Sequence, residues 1–334
     1  MKNKSKIWVG VGAYLLTSVS PIVQINSINS SQDASPFIVS MVPSAEAETT
    51  NPCKKGMGGE GGEGGEGGEG GEKPDVNATP PTLNPAVKPA DLEKAVAGYK
   101  TYVVAEVDRL MVDTKAFTDR VIAGDLEGAK AVYGSARLGW ERIEPIAESF
   151  EAFDKSIDAR VDDFKGEDDP EFTGYHRIEK GLFKDNTTKG YEPFAKKLME
   201  DLQGLKTCVA SLDIEAKDMV RGASELIEEV AQGKITGEED RYSKMDFWSF
   251  KANVEGSEKI VELTRPMVMK INPVLLQQID GDFASVNQML AKYSLPSGGF
   301  MTYDKLTPQD KQVLQATLAR LAENLSKLRG VIGV

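Results

Sequence analysis

The apolar positions of this chain recur with helical spacing almost from residue 89 to the C-terminus. Leu92, Val96, Tyr99, Val103, Val107 and Leu110 follow one another at steps of three and four, and Phe117 and Val121 extend the stripe. That period places them on one face of a helix. Gly124 is positioned to stop this helix and Asp125 to cap the next. At the other end Leu314, Leu318, Leu321, Leu325, Leu328 and Ile332 form a second stripe. Thr307-Pro308 supplies its start and Gly330 its expected stop. Further helical patterns fall near 126–150, 173–184, 189–212, 215–232, 244–271 and 273–293, with a stop near Gly233. No convincing alternating strand pairs occur. The pattern predicts an all-α protein of seven or eight amphipathic helices in one or two bundles.

The first 88 residues read differently. Lys2, Lys4 and Lys6 precede an apolar run from Ile7 to Val19, the layout of a secretory signal. The run is short for a membrane span of roughly 20 residues. Ala45-Glu46-Ala47 is a small-x-small cleavage candidate, so residues 1–47 are expected to be a signal peptide, with an uncleaved N-terminal anchor as the alternative. Cys53 lacks the leucine-rich context of a lipidated cysteine. From Gly58 to Glu72 the triplet Gly-Gly-Glu occurs five times in succession, and a proline-rich stretch follows. Residues 48–88 thus read as a solvated linker, and residues 89–334 as the helical domain.

Composition narrows the chemistry. The 334 residues carry 40 basic and 52 acidic side chains, a net charge of −12. This disfavours nucleic acid as a partner and is compatible with cations. His176 is the single histidine, which excludes HExxH sites, multi-histidine zinc sites and two-histidine iron centres built from this chain alone. Cys53 and Cys208 are too few for a cysteine-based zinc site, and Cys208, set in a helical stripe, is expected to be a buried free thiol. Walker, GxSxG, CxxC and EF-hand motifs are absent.

What remains are acids on helix faces. Tyr175-His176-Arg177-Ile178-Glu179 puts His176 and Glu179 one turn apart on the same face, a workable half-site for a divalent or ferric ion. Trp140-Glu141-Arg142-Ile143-Glu144-Pro145 places Glu141 and Glu144 in the same relation, and two inward carboxylates need a cation or a proton between them. Asp158 and Asp162 share a face at i, i+4, and Glu238-Glu239-Asp240 forms another acidic group. From spacing alone, the bland alternative stays open: solvated acids paired with basic neighbours, and a salt-bridged histidine between helices. Arg142 and Arg177 are expected to neutralise acids that an ion does not use.

These segments carry a family resemblance. The run Trp140 to Phe183, with Asn186-Thr187-Thr188-Lys189-Gly190, Gly237 to Ser243, Phe250 to Gly256, Tyr303 to Thr307 and Leu328 to Gly333, resembles the imelysin-like domain of the EfeO and EfeM family. The members are exported components of bacterial Efe-type iron uptake systems. The resemblance implies two packed four-helix bundles and a metal site centred on the HxxE motif. By motif match that site comprises His176, Glu179, Glu141, Glu144 and Asp158, with Glu239 as an addition. It implies iron as the bound ion, or another divalent cation such as copper or zinc. It also implies a periplasmic location, a membrane permease as partner, and a haem-peroxidase-type protein in the same system. A monomer is expected.

Longer family members carry an N-terminal cupredoxin-like domain, and here the Gly-Gly-Glu tract and proline spacer stand in its place. The chain therefore resembles the short form, and copper-assisted ferrous oxidation is not expected of it. Two other readings are weighed: a metal-dependent peptidase, for which the wider family is labelled, and a binding protein for an acidic polysaccharide. The first lacks an HExxH helix and a second histidine, so no enzyme activity is expected. The second is disfavoured by the negative charge.

Overall fold

The computed structural model describes Cys53 and residues 82–334. The expected signal or anchor at 1–47 and nearly all of the 48–88 linker lie outside the described residues. Helix α1 spans Pro89–Ala123, α2 Leu126–Ala136, α3 Leu138–Ile143, α4 Glu151–Ile157, α5 Gly174–Glu179, α6 Glu192–Ser211, α7 Ala216–Gln232, α8 Asp246–Ile271, α9 Pro273–Ala291 and α10 Pro308–Ile332. No β-strand occurs among the described residues. The all-α expectation is met.

Helices α7, α8, α9 and α10 close a ring in which each packs on the next and α10 returns to α7. A second group is built on α1, which packs against α6, α2 and α3, while α4 and α5 pack on α6. Helix α8 joins the groups through α3 and α1. The second bundle departs from four intact rods, because short helices fill two of its places. Its core stripe is the one read from the sequence: Tyr99, Val103, Val107, Leu110, Phe117 and Val121 are all buried.

Caps explain several of the boundaries. Gly124 takes φ +80° and ends α1, and the Asp125 side chain accepts a hydrogen bond from the Gly128 N–H at the start of α2. Thr307 does the same for Asp310 N–H, with Pro308 in the first turn of α10. The expected stop at Gly330 is wrong: α10 runs through it and ends at Gly333, φ +85°. The single helix expected over 126–150 is also broken. Pro145 cannot donate and crowds the carbonyl of residue 141. From Glu144 to Phe150 the chain turns as a 3-10 helix with Ile146 out of helical geometry.

Two glycines fix close approaches around this segment. A Cβ on Gly222 of α7 would lie 1.6 Å from the Pro145 carbonyl oxygen, so only glycine lets α7 press against the break. Gly174, at φ +77°, opens α5 where a Cβ would meet the Ile157 carbonyl at 2.2 Å. The histidine helix is thereby drawn onto the end of α4.

Cys53 and Cys208 form a disulfide across 155 residues of sequence. This corrects the expectation of a free thiol. The linker composition between the two halves of the pair gives no pairing signal, and only the packing of Cys53 against the core beside α6 brings them together.

Candidate metal centre

The helix of the HxxE motif is short, and Lys180–Lys184 continues it as a π turn. His176 and Glu179 are 2% and 0% exposed. His176 Nδ1 lies 3.1 Å from Glu179 Oε2. The other Glu179 oxygen accepts the Tyr242 N–H at 2.9 Å and the Ser243 N–H at 2.7 Å. Glu179 is thus clamped by backbone donors and in turn orients the ring.

On the opposite side, His176 Nε2 is buried with no hydrogen-bond partner. It stands 3.8 Å from Asp158 Oδ1 and 3.9 Å from Glu239 Oε1. Asp158 and Glu239 are 8% and 2% exposed. These three residues offer ligand atoms within 4.8 Å of one another, and so does the set His176, Glu179 and Asp240. One imidazole nitrogen and several carboxylate oxygens form a donor set suited to iron, zinc or manganese. A buried ring nitrogen without a partner is what such an ion would satisfy.

Glu141 and Glu144 lie one cation away. Lys234 Nζ is 2.6 Å from Glu144 Oε1, 3.5 Å from Glu141 Oε2 and 3.6 Å from Glu239 Oε1. Asn253 donates to Glu141 Oε2 at 2.9 Å and Glu144 Oε2 at 2.6 Å. It also donates to the Glu141 carbonyl at 3.1 Å, the group whose helical partner Pro145 removes. The break in the helix and the placing of the acid pair thus have one cause.

At the centre is Arg137, 1% exposed. Its Nη2 lies 2.7 Å from Glu141, 2.8 Å from Asp158 and 3.0 Å from Glu239, and its Nη1 2.7 Å from Asp240. The guanidinium rests between Tyr133 and Tyr175, 5.9 and 5.7 Å from their ring centres. Arg160 reaches Glu239 from the rim at 3.3 Å.

The electrostatics follow from burial set against these cations. Burial pushes the Glu239 carboxyl up, but Lys234, Arg137, His176 and Arg160 outweigh it and hold it below the ordinary range. Asp240 rises to about 8, because burial, Glu179 and Asp246 prevail over Arg137. Burial also raises Asp158, against the pull of Arg137, and lifts Glu144 well above the usual carboxylate range despite Lys234. Burial and Arg137 lower His176, but the Glu179 bond and Asp158 win, and its pKa is raised.

The structure therefore brings His176, Glu179, Asp158 and Glu239 together and sets Glu141 and Glu144 beside them across Arg137 and Lys234. It separates Asp162, which is exposed and pairs with Arg241. Of the two arginines expected to neutralise acids that an ion does not use, Arg142 does so and Arg177 does not. Arg142 pairs with Glu106 and Glu255, and Arg177 lies over Phe172 and Phe194. Sequence reading passed over Arg137, Lys234 and Asn253 as site residues, and named Asp240 only as part of the acidic group Glu238-Glu239-Asp240. Arg137 stands four residues before Glu141, an i, i+4 signal; Lys234 sits in a short turn with no signal at all.

Two clefts reach this cluster. One of about 320 Å³ is lined by Glu144, Asp154, Asp158, Arg160, Glu229 and Glu239. The other, about 450 Å³, runs over Glu144, Glu148, Asp154, Asp218, Glu225 and Glu229, with Arg221 as its one cationic side chain. No helix among the described residues is long and apolar enough to cross a membrane.

The family profile described as Imelysin (peptidase M75) matches residues 95–328. The iron uptake system component EfeO of Escherichia coli K12 is 53% identical over 241 residues, covering 72% of this chain and 64% of the relative. The EfeO proteins of Shigella flexneri and Shigella boydii serotype 4 are 53% and 52% identical over the same length. The chain thus spans just under two thirds of the curated relatives it matches. With the profile covering most of a helical fold that contains the HxxE motif, the chain belongs to the imelysin family, and its helical domain is EfeO-like.

Proposed function

We propose that this protein is an exported metal-binding component of an Efe-type iron uptake system. It captures the ion at Asp158, His176 and Glu239 for transfer to a membrane permease. One observation carries the reading: the buried, unpartnered His176 Nε2 faces two carboxylate oxygens 3.8 and 3.9 Å away. Glu179 acts on the other ring nitrogen, fixing the tautomer that leaves Nε2 free to ligate. Glu144 forms the approach, shared between the buried cluster and both acidic clefts, with the fully buried Glu141 behind it. A cleft wall with six acids and one arginine attracts cations and repels polyuronates, which favours ion capture over polysaccharide binding. The Cys53–Cys208 bridge suits an oxidising compartment outside the cytoplasm.

The family's peptidase label finds little support in the site's chemistry. Metal-assisted hydrolysis needs a free base beside a metal-bound water, and Glu179 is held by two backbone N–H groups. Iron is favoured by the name of the relatives; the oxygen-rich donor set also admits zinc. Calorimetric titration with ferrous iron under anaerobic conditions, and with zinc, tests the reading. Binding of one ion per chain that His176→Ala abolishes is expected. Unchanged affinity in that variant would overturn the site.

A further inference from the structure

We infer that Arg137 is a built-in rival of the ion, a resident positive charge that an arriving cation must dislodge and that later helps to expel it. The inference rests on the reading of Asp158, His176 and Glu239 as the ion's site. Arg137 Nη2 is 2.8 and 3.0 Å from Asp158 Oδ1 and Glu239 Oε1. These are the same two oxygens that face His176 Nε2. An ion bound by carboxylate and imidazole sits about 2.0–2.2 Å from each donor. It must enter the wedge whose oxygens the guanidinium already holds, or lie directly against a full positive charge. Arginine cannot relieve that conflict by losing a proton, so it has to shift.

The packing provides somewhere to go. Nη2 has a third carboxylate, Glu141, at 2.7 Å, and Nη1 is held by Asp240 at 2.7 Å. Arg137 can release the two ligating acids while keeping two others, still flanked by Tyr133 and Tyr175. Without Arg137, Lys234 would be the one fully buried cation beside Glu141 and Glu239, and Asp158 and Asp240 would lose their close cationic partner, an arrangement of buried acids that mutual repulsion would open. Arg137 therefore supports the ion-free cluster and lowers the affinity of the loaded one, as a carrier that must hand its cargo onward requires.

The test compares wild type, Arg137→Met and Arg137→Lys by zinc titration calorimetry and by melting temperature with and without zinc. Arg137→Met is expected to melt lower without metal, to bind zinc at least about tenfold more tightly, and to gain more from zinc in melting temperature. Arg137→Lys keeps the charge and should stay within about threefold of wild-type affinity. Should Arg137→Met fail to fold alone, refolding in zinc but not in magnesium supports the inference, and failure in both overturns it. A folded Arg137→Met that binds zinc no more tightly than wild type also overturns it. A wild-type protein that binds no ion rejects the underlying site instead.

Discussion

His176 and Glu179 meet through Nδ1 and Oε2 at 3.1 Å, so the imidazole is oriented by its own helix while its Nε2 points at carboxylates from other segments. The contact assigns the two residues of the motif different tasks. His176→Ala removes a ligand and should abolish tight ion binding. Glu179→Gln should weaken it about 10- to 100-fold while leaving the fold intact, as read by calorimetry and circular dichroism.

The raised pKa of His176 gives ion binding a pH dependence. More of the ring is imidazolium at neutral pH than in a free histidine, and a protonated nitrogen cannot ligate. Affinity should therefore climb as pH rises from about 5 to beyond the ordinary histidine value of about 6.5. Binding should release a proton, visible as a buffer-dependent heat in calorimetry.

Lys234 neutralises three acids from a fully buried position. Lys234→Met leaves Glu141, Glu144 and Glu239 short of one cation. The expected loss is about 3–5 kcal/mol of stability, measured by urea unfolding of the ion-free protein. A loss below about 1 kcal/mol would show that Arg137 alone suffices.

Asp154, on the cleft wall, is raised to about 7 by burial and by the neighbouring Asp158. Between its unfolded value of about 3.9 and 7 the folded chain binds the extra proton, so stability contributed there falls as pH rises through that window. Asp154→Asn should flatten this part of the stability curve. At pH 8 the variant should be more stable than wild type by at most about 4 kcal/mol. An unchanged curve would place Asp154 in freer contact with water.

Much of this was legible from residue order. Periodicity located the long helices to within a few residues, because their buried faces are simple stripes such as Tyr99–Val103–Val107–Leu110. Spacing put His176 with Glu179, and Glu141 with Glu144, on shared helix faces, and the family resemblance, not the spacing, chose them over solvated acids and a salt-bridged histidine. The counter-charges were hidden. Arg137 lies four residues before Glu141, but Asp158, Glu239 and Asp240 join it only after segments distant in sequence have packed, and Lys234, in a short turn, meets its acids only then as well. The disulfide was equally invisible, for pairing across 155 residues leaves no local mark.

Reduction offers a direct measure of that bridge. Removing it with Cys208→Ser should cost about 2–5 kcal/mol, seen as a lower melting temperature that reducing agent no longer affects.

The bond has a mechanical meaning too. Cys53 precedes the glycine-glutamate repeats, yet it is bonded to α6. A pull applied upstream of it would be carried through sulfur into the middle of the chain, bypassing the repeats. A protease that nicked those repeats would release nothing, leaving two fragments that travel as one until a reductant parts them.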